Sequence, residues 1–179
     1  MAERLSRAAF RAWAERQPRG RFERVGGSPV AMAPERWIHA RLKARIWHAL
    51  DREIRAAGLC CEAAPDGMTV EIDADTDYEP DALVNCGDPM PDDATAAPNP
   101  VVVVEVLSPS TASLDAGGKL ADYFRLASVA HYLLVRPLRR EIIHHERRDG
   151  RIETRVVTAG EIELDPPGIR LGLDEIYDG

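Results

Sequence analysis

The sequence is poor in cysteine, in aromatic residues and in long apolar runs, and it carries no excess of positive charge. Its cysteines, Cys60, Cys61 and Cys86, make an odd count with one adjacent pair. That pattern argues against a disulfide framework, and without a Cys-x-x-Cys it argues against a zinc module. Buried thiols in a reducing compartment are expected instead. The longest clear apolar stretch, residues 100–107, is far short of the roughly 20 residues that span a bilayer. Arg4, Arg7, Arg11 and Glu15 interrupt any apolar leader, so no export signal and no membrane contact are expected, and the expected location is cytoplasmic. A formal net charge of −7 argues against a protein that coats nucleic acid by general electrostatics. It leaves room for a local basic patch. Arg136, Arg139 and Arg140, then Arg147, Arg148 and Arg151, are the richest basic stretches, and they read as a solvated hairpin edge.

What is present is enough for one domain with a sizeable core: 179 residues, 45% apolar and 30% charged. The reading is a single domain over 1–179, with an N-terminal helix within 1–20 and a core over 21–176. The spacing predicts an amphipathic helix over 3–16, with Leu5, Ala8, Ala9, Ala12 and Trp13 on one stripe. A hairpin follows around Gly26-Gly27. A long helix over about 35–57 carries Ile38, Leu42, Ile46, Leu50 and Ile54 at helical spacing and ends at Gly58. Strands are predicted at 59–61, 68–72, 81–84, 100–107, 131–135 and 169–173, with a proline-rich loop at 86–100. A helix over about 116–127 lies between two strands and predicts a parallel crossover. Residues 141–146 and 151–157 flank Asp149-Gly150, a strong hairpin signal. The expected class is α/β: a mixed sheet flanked by helices.

Two acids stand out. Glu105 interrupts Val101-Val102-Val103-Val104-Glu105-Val106-Leu107, a run of β-branched residues that reads as a buried strand. Asp81 opens a second apolar run after Pro80. A carboxylate in a buried strand is costly to desolvate unless something pairs with it, and a divalent cation suits two converging carboxylates. Lys119 follows on the predicted helix. Two acids on neighbouring strands with a nearby lysine suit metal-dependent phosphodiester hydrolysis.

These segments read together as Tyr78-x-Pro80-Asp81, then Pro100-Val-Val-Val-Val-Glu105-Val-Leu-Ser108-Pro109-Ser110-Thr111, then Asp115-x-x-x-Lys119-x-x-x-Tyr123, then Tyr132-Leu-Leu-Val135. Over about residues 22–175 the pattern resembles the Uma-type restriction-endonuclease family, within the PD-(D/E)XK nuclease superfamily. The resemblance implies a restriction-endonuclease-like core and Mg²⁺-dependent cleavage of DNA, with Mn²⁺ as a substitute. The superfamily pattern places lysine two residues after the second acid, where this chain has Leu107; the resemblance suggests Lys119 instead. Asp81, Glu105 and the Val106 carbonyl would then hold the metal. Lys119 would orient or deprotonate the attacking water, or stabilise the transition state. The resemblance also puts a histidine, here His39, at the start of the long helix near the site. A homodimer is the expected assembly of a nuclease of this size, through 136–151 or the N-terminal helix.

Plainer roles stand beside these. Asp81 could be only a turn residue, and Glu105 only half of a structural ion pair with an arginine or Lys119. Asp115 suits a helix cap, with a minor role near the site as the alternative. Glu62 is a further acidic candidate. Ser108, Ser110 and Thr111 suit loop stabilisation, or contact with a DNA phosphate. His144 and His145 are adjacent in a strand and face opposite ways. Trp47, Tyr123 and Phe124 read as core. Two rival functions share the fold: a non-catalytic binding or assembly module, and a metal-dependent phosphoesterase acting on a small substrate.

Overall fold

The computed structural model describes residues 4–108 and 115–178, with backbone alone at 115 and 116. In chain order the elements are α1 (Arg7–Glu15), β1 (Phe22–Val25), β2 (Ser28–Ala31), α2 (Trp37–Ala57), β3 (Cys61–Pro65), β4 (Val70–Glu71), β5 (Asp77–Tyr78), β6 (Ala82–Cys86) and β7 (Pro100–Val106). A π-helical turn (Asp115–Lys119) then runs into α3 (Leu120–Tyr123). The chain continues through β8 (His131–Arg136), β9 (Glu141–Arg148), β10 (Arg151–Val157), β11 (Glu161–Leu164), β12 (Ile169–Gly172) and α4 (Leu173–Tyr177).

The main sheet has six strands in the order β10-β9-β8-β7-β6-β3. Only β7 and β8 run parallel, joined by the expected crossover. The sheet is therefore mixed and flanked by helices, the α/β class read from the sequence. A smaller sheet, β2-β1-β5-β4, brings the N-terminal hairpin beside the segment leading into β6. Each face of the main sheet has its own core. Val102, Val104 and Val106 pack with Leu42, Ile46 and Leu50 of α2 on one face. Val103 and Leu107 pack with Tyr78, Tyr123 and Tyr132 on the other. Both faces being covered explains why β7 is valine at five of its seven positions rather than alternating apolar and polar.

Several expectations need correction. In α1 the buried residue is Phe10, while Ala8, Ala9 and Ala12 are exposed. The helix is docked by Arg7 on Asp77 and Arg11 on Glu71, so ion pairs and not an alanine stripe set its face. The helix predicted at 116–127 shrinks to a π turn and one α turn, because Gly117 and Gly118 lower helix propensity at its start. The strand predicted at 59–61 begins at Cys61 and runs on to Pro65. Residues 161–164 form a strand, and 173–177 a short helix, neither expected from the sequence. Cys61 and Cys86 are joined by a disulfide, against the expectation of buried thiols, because β3 pairs with β6 in the register that sets them opposite each other. Cys60 is the free cysteine and it is exposed, not buried. Among the described residues no helix is long and apolar enough to cross a membrane.

Candidate active site

Strand alternation decides where Glu105 goes. Its neighbours Val104 and Val106 face α2, so Glu105 faces the tyrosine-lined side. There it is 6% exposed, and its Oε1 accepts the Tyr123 hydroxyl at 2.9 Å and the Lys119 ammonium at 3.0 Å. Lys119 and Tyr123 are four residues apart around the π turn and α3, which points both at one carboxylate. Lys119 also reaches Glu23 on β1 at 2.9 Å and sits 4.9 Å from the centre of the Tyr78 ring. Glu23 is fixed in turn by the Glu79 amide at 3.0 Å.

Asp81 lies one residue before the Ala82–Val104 pair, at the end of β7 where Glu105 sits. It is 5% exposed, and its Oδ2 accepts the Val106 amide at 2.5 Å. In an extended strand one residue's N–H and C=O leave the same edge, so the Val106 carbonyl shares Asp81's side of β7. Lys43 of α2 contacts the other oxygen, Oδ1, at 2.7 Å. The same ammonium touches Glu35 at 2.6 Å and Asp66 at 3.3 Å.

The electrostatics follow from burial. Desolvation pushes the Glu105 carboxyl up to about 8; Lys119 opposes the rise, and the charges of Asp81 and Glu23 add to it. Burial also raises Asp81, with Lys43 pulling the other way. Burial alone would lower Lys43, but Asp81, Glu35 and Asp66 carry it above the ordinary lysine value. The Tyr123 hydroxyl is raised first by burial and then by the Glu105 charge. Among the described residues the acids Glu105, Asp81 and Glu23 outnumber the lysines that touch them, Lys119 and Lys43, which favours a proton or a further cation.

Asp81, Glu105, Lys119 and Val106 therefore lie together. His39 is buried on α2 one turn before Lys43, which puts it on the same side of the helix as Lys43. Glu62 is not brought there: it is exposed on β3, opposite Asn85, and accepts the Met90 amide. Ser108 follows the site directly at the end of β7 and is half-buried. Ser110 and Thr111 lie outside the described residues. Asp115 opens the π turn rather than capping a helix, and its side chain is also outside the description.

Sequence reasoning missed Lys43, Glu23 and the Tyr123 hydroxyl. Lys43 had a signal, since 39, 43, 46 and 50 trace one stripe of α2. Glu23 had none, because the small sheet that delivers it depends on distant pairing. The arginine stretches largely serve structure: Arg147 donates to the Phe124, Leu126 and Val129 carbonyls, and Arg136 pairs with Glu141.

Among the described residues no group of three or more His, Cys, Asp or Glu is placed to hold a metal. Mg²⁺ needs fewer protein ligands than that, because it keeps several waters and is commonly held by one or two carboxylates. Two carboxylates and one carbonyl with excess local acidity fit such an ion.

Residues 7–175 match the family model Uma2, described as "Putative restriction endonuclease". The chain is 31% identical, over 98% of its length and 93% of the relative's, to the uncharacterized protein slr1290 of Synechocystis sp.. It is similar in fold to a solved structure from Anabaena variabilis, described as a putative nuclease belonging to DUF820, with a TM-score of 0.74 at 13% identity. That likeness covers 97% of this chain and 98% of the other.

Proposed function

The chain belongs to the Uma2 family of restriction-endonuclease-like proteins, and from that premise we propose that it is a Mg²⁺-dependent endonuclease that hydrolyses DNA phosphodiester bonds. One observation carries the reading: two buried carboxylates, Asp81 and Glu105, at the same end of β7, each contacted by its own lysine. A structural ion pair needs neither the second carboxylate nor the uncompensated acidity at Glu105.

In this reading Asp81, Glu105 and the Val106 carbonyl would hold Mg²⁺, or Mn²⁺ in its place. The bound ion would supply a water of lowered pKa and screen the scissile phosphate. The Val106 amide and Lys43 fix the Asp81 carboxylate, so it does not have to reorganise when the ion arrives. Tyr123 holds Glu105 Oε1 in the same way. Lys119, carried by the π turn, shifts from its carboxylates to the phosphate, where its ammonium orients the attacking water or meets charge developing on the phosphoryl oxygens. Ser108, next to the site, would contact a DNA phosphate.

The test is cleavage of supercoiled plasmid with Mg²⁺ or Mn²⁺, beside an EDTA control and Glu105→Ala. The expected result is metal-dependent nicking, lowered at least ~100-fold in Glu105→Ala. A folded wild type that binds Mn²⁺ but cuts neither plasmid nor single-stranded DNA overturns the reading.

A further inference from the structure

β10 is the outer strand of the main sheet, and it is exposed along nearly all its length. The two-residue turn Asp149-Gly150 closes the Arg148–Arg151 pair, and such a turn is flanked by a hydrogen-bonded pair. Residues 151, 153, 155 and 157 therefore point their amides at β9. Ile152, Thr154 and Val156 point theirs away from the sheet, at an edge that no described strand pairs with. Ile152 is 39% and Val156 60% exposed.

We propose that this edge pairs with the β10 edge of a second copy, antiparallel about a two-fold axis at Thr154. The strand's own sequence selects the partner and the register. Pairing about Thr154 sets Ile152 opposite the second copy's Val156, twice, with backbone hydrogen bonds at 152, 154 and 156. It sets Glu153 opposite the second copy's Arg155, twice, in the closer non-hydrogen-bonded positions. Moving the axis to Glu153 or Arg155 would put two like charges face to face. Moving it to Ile152 or Val156 would pair only 151–153 or 155–157 within the strand. Thr154 is the one centre that matches apolar to apolar and acid to base over 152–156, with only the end residues Arg151 and Val157 set opposite each other as unlike partners.

Glu153 also has a reason to seek a base. Its partner within the hairpin is Glu146, a like charge, and Glu146 is already taken by Arg148 at 2.9 Å and Arg155 at 2.6 Å. Among the described residues Glu153 has no ion pair within 4 Å, and Arg148 attracts it only from further off. The Arg155 side chain remains 52% exposed and has donors to spare for a second carboxylate.

Sedimentation equilibrium of the full chain tests this without reference to any nuclease activity. The wild type is expected to be a dimer at tens of micromolar. Glu153→Arg and Arg155→Glu should each weaken self-association at least tenfold, while an equimolar mixture of the two variants re-forms a dimer containing one copy of each. Circular dichroism checks that each variant is folded. If Arg155→Glu fails to fold, Thr154→Pro, which removes the central outward amide, should give the same loss. A monomeric wild type, or a dimer indifferent to Glu153→Arg, overturns the proposal.

Discussion

At the residue scale, the informative side chains are those whose burial contradicts their chemistry. Glu105 was legible in the sequence because a charge in a valine strand has few innocent explanations, and Asp81 because it opens the neighbouring strand. Their lysines were only half legible. Lys119 follows a recognisable segment, whereas Lys43 looks like any helical lysine until α2 is laid on the sheet. Lys43 makes a direct stability prediction. Its side chain is 15% exposed and that of Asp81 7%, so removing one partner leaves the other charged in a poorly hydrated place. Lys43→Met is expected to cost about 3 kcal/mol in urea denaturation, and Lys43→Met with Asp81→Asn to recover much of that loss. Equal losses in the single and double variants would show that Lys43 serves packing rather than Asp81.

At the scale of elements, local signals fared well where they were self-contained and poorly where pairing was remote. The Asp149-Gly150 hairpin, the Gly58 cap of α2 and the β7–β8 crossover were all legible. The Cys61–Cys86 disulfide was not, since it needs the register of β3 on β6, and counting cysteines cannot supply that. The segment before α3 was misjudged because its apolar spacing suits a helix while Gly117 and Gly118 weaken one. Neither glycine has a positive φ, and a Cβ at either would meet nothing within 4 Å. Gly118→Ala should therefore stabilise the protein by up to about 1 kcal/mol, through lost freedom of the unfolded chain. Gly150, at a φ of 74°, should behave oppositely, with Gly150→Ala destabilising by about 1 kcal/mol. Thermal melts of the two variants check both signs. If Gly118→Ala also impairs cleavage, the π turn needs its freedom to move Lys119.

At the scale of the whole molecule, a second buried polar group couples the sheet to pH. His131 on β8 and His144 on β9 are both buried, their rings sharing a hydrogen bond of 2.9 Å between Nδ1 and Nε2. One of the two nitrogens must accept, so the pair is stable with at least one neutral ring. Burial and then the neighbouring His131 pull His144 down to about 4, and burial lowers His131 too. Glu146 opposes both shifts, while Arg155 reinforces the lowering at His144. In the unfolded chain these rings take up protons near pH 6.5. Between that pH and about 4 the unfolded state therefore binds more protons than the folded one, and stability falls as the pH falls. The contribution of His144 is fully present above pH 6.5 and gone below about 4, at most about 3 kcal/mol. Denaturant melts at steps from pH 7 to 4.5 should show wild type losing stability faster than His144→Gln, which has no proton to gain. Parallel curves for the two proteins would mean that acid acts on the carboxylates alone, and that the histidine pair is not what joins β8 and β9 to the pH of the solution.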